Sequence, residues 1–199
     1  MHGANGQIVP LIPRDQHPQS GTRGGEEGLR QDETLAAALI PEAGEMAPLY
    51  ELIELLFFAY RDFVGDPDRM LETYGFGRAH HRVIHFVDRN PGLTIAALLD
   101  ILKITKQSLN RVLKELITKG YIESRSGIED RRQRHLHLTP KGRALALDLA
   151  ALQTRRIARA IAECGADDAL AARRFLSAMI EPEGRATIAA LTGPKRISP

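Results

Sequence analysis

The chain has 199 residues, 43% of them hydrophobic and 26% charged, with a net charge of +2, one cysteine and no tryptophan. This is the composition of an ordinary globular chain long enough for a sizeable core, and it excludes collagenous or wholly disordered chains. A single cysteine excludes an intramolecular disulfide framework and a cysteine-based zinc cluster. The longest apolar run, over residues 52–60, is interrupted by Glu54 and too short to span a membrane.

Residues 1–31 are rich in Gly, Pro and Gln, lack periodicity and read as a disordered arm. Arg14, Arg23 and Arg30 on it would suit a polyanion, but composition favours a solvated tail. No charged-then-apolar signal segment opens the chain, so a cytoplasmic protein is expected. Residues 34–65 turn helical. Leu49, Leu52, Ile53, Leu56 and Phe57, with Tyr60, Phe63 and Val64 beyond, form an apolar face too broad for a lone surface helix, so it must pack on something. Gly65-Asp66-Pro67 is expected to break this helix, with Asp66 capping a short one through Leu71. Gly75 and Gly77 bracket a turn.

A helix is expected over residues 78–89, with Ala79, Val83, Phe86 and Val87 inward, ending at Asn90-Pro91-Gly92. His81 and His85 lie one turn apart on it, which is a metal-ligand spacing. No third ligand follows in sequence, so no metal is predicted. These histidines, with His80, read instead as polar positions at a packing seam or as phosphate contacts.

Two short helices then meet at a tight turn. The first has Thr94 as N-cap, is apolar at Ile95, Leu98, Leu99 and Leu102, and runs to Lys103, with Ile104 as the turn. The second is capped by Thr105, runs to Lys119 and stops at Gly120. In it Leu109, Val112, Leu113, Leu116 and Ile117 fall at the spacing that puts one apolar stripe against a core. The rest of its surface carries Thr105, Lys106, Gln107, Ser108, Asn110, Arg111 and Lys114. Arg suits guanine, Asn or Gln suits adenine, and Lys reaches base or phosphate. Any amphipathic helix has a polar face, and most are merely solvated.

The next stretch adds a second element of the same kind. Residues 127–134, Gly-Ile-Glu-Asp-Arg-Arg-Gln-Arg, are strongly polar and lie between Tyr121-Ile122 and Leu136-His137-Leu138, which alternates like a half-buried strand. Arg131, Arg132 and Arg134 at a hairpin tip can lie along a phosphate backbone or enter a narrow minor groove. Asp130 would repel phosphate, and makes sense as the partner that holds Arg132 extended through a bidentate pair. Helix, turn, helix and wing together read as a winged helix-turn-helix.

Thr139-Pro140, a cap followed by proline, starts a long helix to about Cys164. Leu145, Leu149, Leu152, Ile157 and Ile161 give it a seam, and Arg155, Arg156 and Arg159 a charged side. Gly165-Ala166-Asp167 reads as a turn. A further helix from Asp168 carries Ala172, Phe175, Leu176, Met179 and Ile180, and Pro182 and Gly184 should kink it before residues 185–191. Cys164, flanked by Glu163, reads as a buried or inert thiol. The end helices carry more apolar surface than one small wing domain can cover, which argues for a dimer interface built from them.

Charge is segregated along the chain. Residues 78–143 hold fourteen Lys and Arg against six Asp and Glu, or +8, while the remainder sums to −6. That is the electrostatic footprint of a nucleic-acid reader.

Asp130-x-Arg132, followed by Leu138-Thr139 and Lys141-Gly142, resembles the wing signature of the MarR family. Leu109-Asn110-Arg111 and the run from Leu116 through Ile117, Thr118, Lys119, Gly120 and Tyr121 to Ile122 resemble that family's recognition helix and its exit. The resemblance covers roughly residues 76–192. Arg78-Ala79-His80-His81-Arg82 is similar to the PetP-like bacterial regulators within the family. Two features depart from the pattern: Ser124 stands where the family usually has Arg, with Arg125 one place later, and the N-terminal extension is long.

The resemblance implies a homodimeric winged-helix transcription regulator of the MarR type, often a repressor relieved by a small-molecule effector or an oxidant. Its partners would be a second copy and double-stranded DNA with an inverted-repeat operator, with no membrane and no cofactor. The expected organisation is a mainly α chain: an arm at 1–31, dimerising helices at 32–75, a DNA-binding domain at 76–142, further dimerising helices at 143–192 and a tail at 193–199. The rival expectation is a winged-helix module that binds protein and not DNA. An enzyme is not expected, because no nucleophile–base constellation or phosphate loop stands out.

Overall fold

A computed structural model of the chain describes residues 48–127 and 133–193. The chain divides into two compact units, 1–53 and 54–199. Apart from the start of α1, every element below lies in the second. In order they are α1 (Tyr50–Glu72), α2 (Arg78–Arg89), β1 (Leu93–Thr94), α3 (Ile95–Leu102), α4 (Lys106–Thr118), β2 (Ile122–Ser126), β3 (Arg134–Leu138), α5 (Pro140–Cys164), α6 (Ala166–Ala178) and α7 (Pro182–Thr192). This is the mainly α winged helix-turn-helix that the sequence implies. No described helix is long and apolar enough to cross a membrane.

The core is built where α2, α4, the sheet and the start of α5 converge. Val83, Ile84 and Val87 of α2, Leu98 of α3, Leu109 and Leu116 of α4, Leu136 of β3 and Leu149 of α5 are all buried in it. Burying a side chain of this size is worth about 1.5–3 kcal/mol, so these residues fix the fold. The sheet is antiparallel in the order β1-β3-β2. Its register pairs Leu93 with Leu136, and Ile122 with Leu138. The two-residue strand β1, which the sequence reading did not foresee, ties the entrance of α3 to the wing.

Thr139 and Gly142 join the sheet to α5. Thr139 caps α5 by accepting from the Gly142 N–H at 3.1 Å, and its hydroxyl donates to the Gly120 carbonyl at 2.7 Å. Gly142 passes so close to β2 that a Cβ there would sit 2.0 Å from the Tyr121 carbonyl oxygen. Only glycine allows that approach.

Several expectations are corrected. Gly65-Asp66-Pro67 does not break the first helix, which continues from Tyr50 to Glu72. Val64, Pro67 and Leu71 share one buried face, and that burial offsets the hydrogen bond that proline removes. Asp66 caps nothing; it receives Arg156 Nη2 at 2.8 Å and also pairs with Arg69. The Arg156 guanidinium beside it holds its carboxyl below the ordinary carboxylate range.

On α2, Ala79 is exposed, and His81 and Ile84 take the inward positions. Ile117 stays 42% exposed at the end of the α4 stripe. Gly165 alone separates α5 from α6, which begins at Ala166. Pro182 starts α7 instead of kinking one helix, since proline at the first position removes an N–H that has no helical partner anyway. Cys164 is exposed, not buried, because the groove beside the end of α5 is open.

Two outcomes follow from this packing. Gly142→Ala should destabilise the protein by about 3 kcal/mol, because the clash is with backbone and cannot be relieved by a rotamer change; denaturant titration measures it. His81 is 7% exposed, and its pKa is lowered by burial first and by the neighbouring His85 second. The unfolded chain therefore binds the proton more readily than the fold does. Stability should be full above the ordinary histidine value of about 6.5 and fall as pH drops below it towards the depressed folded value. Melts from pH 8 to pH 5 should show this slope, and His81→Leu should reduce it, leaving the part that comes from His85, whose pKa burial also lowers.

Candidate nucleic-acid interface

The second helix of the helix-turn-helix is held on one side only. Leu109, Val112, Leu113 and Leu116 of α4 are buried, as their spacing requires. The opposite face is bare: Lys106, Gln107, Ser108, Asn110, Arg111 and Lys114 are all exposed. None of Lys106, Gln107, Asn110, Arg111 and Lys114 has a hydrogen-bond or ion-pair partner among the described residues. Three cations and two amides thus stand on one helix face with their hydrogen-bonding capacity unspent among the described residues.

Local chemistry sets the start of that face. Thr105 caps α4, its hydroxyl oxygen accepting from the Ser108 N–H at 3.2 Å and donating to Ser108 Oγ at 2.9 Å. The cap leaves the helix N-terminus open to solvent, where its dipole favours a phosphate. The turn before it is tight because Lys103 adopts a left-handed conformation, φ 50°. Arg82 of α2 reaches across and donates to the Leu102 carbonyl at 3.0 Å, closing the end of α3. Sequence reasoning missed Arg82, since a bond between residues twenty apart leaves no periodic trace.

The wing is described on both sides of its tip. Glu123 pairs with Arg125 at 2.5 Å, so Arg125 is engaged within the strand. Arg134 is exposed at the start of β3, its Nη1 donating to Ser126 Oγ at 3.3 Å. It opens β3 opposite Ser126. Asp130, Arg131 and Arg132 lie outside the described residues. His135 is a part-buried anchor, Nδ1–H donating to the Gly92 carbonyl at 2.8 Å.

The two histidines weighed as metal ligands are placed differently from one another. His81 is buried, while His85 is exposed and edge-on to Phe86. Among the described residues no group of three or more His, Cys, Asp or Glu could hold a metal ion. A groove of about 1400 Å³ runs between α5, α6 and α7, lined by Ile157, Ile161, Leu176, Ile180 and Ile188, with Cys164 at its edge.

Comparison with known proteins agrees with this geometry. The MarR family model matches residues 74–133, the segment from the turn before α2 to the wing. The HTH-type transcriptional regulator PetP of Rhodobacter capsulatus is 50% identical over 133 residues, which cover 67% of this chain and 80% of that protein. Among solved structures, Streptococcus pneumoniae FabT in complex with DNA superposes with a TM-score of 0.60 at 21% identity, covering 66% of this chain and 94% of FabT. A MarR transcriptional regulator from Methanosarcina mazei superposes with a TM-score of 0.57 at 21% identity, covering 67% of this chain and 90% of that one. At those identities the structures carry the fold, and the PetP match over most of its length carries the family: the chain belongs to the MarR family of DNA-binding transcriptional regulators.

Proposed function

We propose that this MarR-family regulator binds operator DNA as a homodimer, with one α4 in each of two major grooves and the wing tip on the flanking backbone. The observation that carries the reading is the α4 face, on which Lys106, Gln107, Asn110, Arg111 and Lys114 are exposed and have no partner among the described residues. A merely solvated helix face would not coincide with the +8 stretch of the chain, and that segregation disfavours a protein-binding module without DNA. FabT, a neighbour of the same fold, was solved in complex with DNA. Thr105 and Ser108 would contact phosphate at the helix N-terminus. Arg131, Arg132 and Arg134 would serve the wing, with Asp130 orienting Arg132. Such a regulator acts on the DNA of a bacterial cytoplasm, and no reaction is assigned to it.

The dimer reading rests on apolar surface left bare in one chain. On α1, Leu55, Phe57, Phe58 and Tyr60 are each more than half exposed; on α6, Leu170, Phe175 and Leu176 are too. Large apolar side chains exposed together on one helix mark contact surfaces on soluble proteins. We assign residues 32–75 and 143–192 to dimerisation and 76–142 to DNA binding. A two-fold dimer reads an inverted repeat, with half-site centres about 34–36 Å apart. Repression relieved by a small-molecule effector is the mode we infer from the family.

Oligomeric state and DNA affinity test this reading. Sedimentation at micromolar concentration should give twice the chain mass, and a clean monomer would remove the paired half-sites. Asn110→Ala and Arg111→Ala should each lose about 1–3 kcal/mol on the cognate duplex and much less on random duplex. Equal losses on both would mean that these side chains touch phosphate only. At the wing, Arg132→Ala should lower the salt slope by about one. Asp130→Ala should weaken binding although it removes a negative charge, and tighter binding by that variant would refute the orienting role.

A further inference from the structure

We propose that His80 is a positioning residue for DNA reading. Through one hydrogen bond to Glu115 it fixes the recognition helix against α2 and keeps that helix's acidic side chain off the base-reading face. The inference rests on the DNA-binding reading of α4 and adds to it a residue that touches no DNA.

Two bonds pin the imidazole. The Gly77 backbone N–H donates to Nδ1 at 3.1 Å, so Nδ1 presents its lone pair and the ring proton is on Nε2. Nε2–H donates to Glu115 Oε2 at 3.0 Å. Phe76, itself buried, stacks on the ring with centroids 4.7 Å apart. The imidazole is only 12% exposed, and with both nitrogens engaged and one face covered it is a rigid strut. It stands in the first turn of α2 and reaches the last turn of α4, 35 residues along the chain.

The strut supplies what the apolar contacts of α4 do not. Leu109, Val112, Leu113 and Leu116 attach the helix by burial, and burial is non-directional, so it tolerates small rotations and slides. Bidentate reading of a base edge does not, because a productive site must be held to within about 0.5 Å. A hydrogen bond from a fixed ring to one side chain of α4 is directional. Glu115 is also the one acidic residue of α4. It lies four residues beyond Arg111, the spacing at which helix side chains meet. Released from His80, its carboxylate can reach the Arg111 guanidinium and compete with guanine for it.

Two substitutions at position 80 separate the strut from the cap. His80→Asn places an amide oxygen near the Nδ1 position, keeps the Gly77 N–H satisfied and leaves nothing to reach Glu115. His80→Gln places an amide N–H near the Nε2 position and keeps the donor to Glu115. Each is tested by fluorescence anisotropy on a duplex selected from random sequence by the wild-type protein, alongside a thermal melt.

His80→Asn should weaken cognate binding about 3–10-fold, the range for one partly exposed hydrogen bond to a charged group. Its melting temperature should fall no further than that of His80→Gln, because both substitutions remove the ring stacked on Phe76 and only one removes the donor to Glu115. His80→Gln should restore affinity to within about 2-fold. In a Glu115→Ala background, His80→Asn should change affinity less than about 2-fold, because its partner is already gone.

Unchanged binding by His80→Asn, no rescue by His80→Gln, an undiminished loss in the Glu115→Ala background, or a loss that tracks a fall in melting temperature would each overturn the positioning role. A wild-type protein that binds no duplex would overturn the DNA reading itself. Wild-type binding with an indifferent His80→Asn overturns only this inference.

Discussion

Everything that projects from α4 depends on what α4 buries. One helix has to seat Leu109, Val112, Leu113 and Leu116 in a core shared with α2, the sheet and α5, while leaving its other face in water. Those two demands set the rotation of the helix about its axis to within the small slides that burial tolerates. They put Asn110 and Arg111 outward at the same time as they put Leu109 and Val112 inward. Losing any buried leucine here would open a cavity and free the helix to resettle, so the core is as much a part of the reading head as the exposed side chains.

Around this seat, polar contacts supply the direction that burial lacks. Lys119 at the end of α4 lies 4.4 Å from the Phe76 ring centroid and donates to the Tyr74 carbonyl at 2.9 Å. Lys141 at the start of α5 lies 4.3 Å from the Tyr121 ring centroid and donates to the Lys119 carbonyl at 3.1 Å. Phe76 and Tyr121 meet edge to face, 5.1 Å between centroids. The turn before α2, the exit of α4, the root of the wing and the start of α5 are thus tied at one corner. Cation–π contacts at such half-exposed sites are worth about 0.5–1 kcal/mol each, so the corner orients the elements more than it stabilises the fold.

The other end of the molecule is constructed differently. Leu145 and Leu149 of α5 enter the core, but Ile157 and Ile161 further along the same helix are exposed. The helix therefore leaves the wing domain halfway along its length and carries its apolar seam into solvent. Arg156 turns back to Asp66 of α1 and links the outgoing part of α5 to the inner helix. Arg185 donates to the carbonyls of Ala178 and Ile180, closing the end of α6 as α7 begins. These polar closures satisfy the ends of helices whose apolar faces remain uncovered in one chain.

The sequence by itself determined the local structure and the chemistry of the reading face. Thr94, Thr105 and Thr139 each cap the helix they were expected to cap, because a side-chain oxygen just before an apolar-periodic run has a backbone N–H within reach. The periodic stripe of α4 went inward except at Ile117, and its charged and amide residues came out. The wing strands lie at the expected segments, with Tyr121 just ahead of β2 and Arg134 taken from the expected loop into β3. Tertiary structure decided what periodicity cannot carry. Pro67 stayed inside a continuous helix because the face it shares with Val64 and Leu71 is buried. Ala79 gave its expected place to His81 and Ile84 because the inward direction of α2 is set by its neighbours, not by its own pattern. The bonds from Arg82 to Leu102 and from His80 to Glu115 join residues distant in sequence, so only the folded chain brings their atoms together.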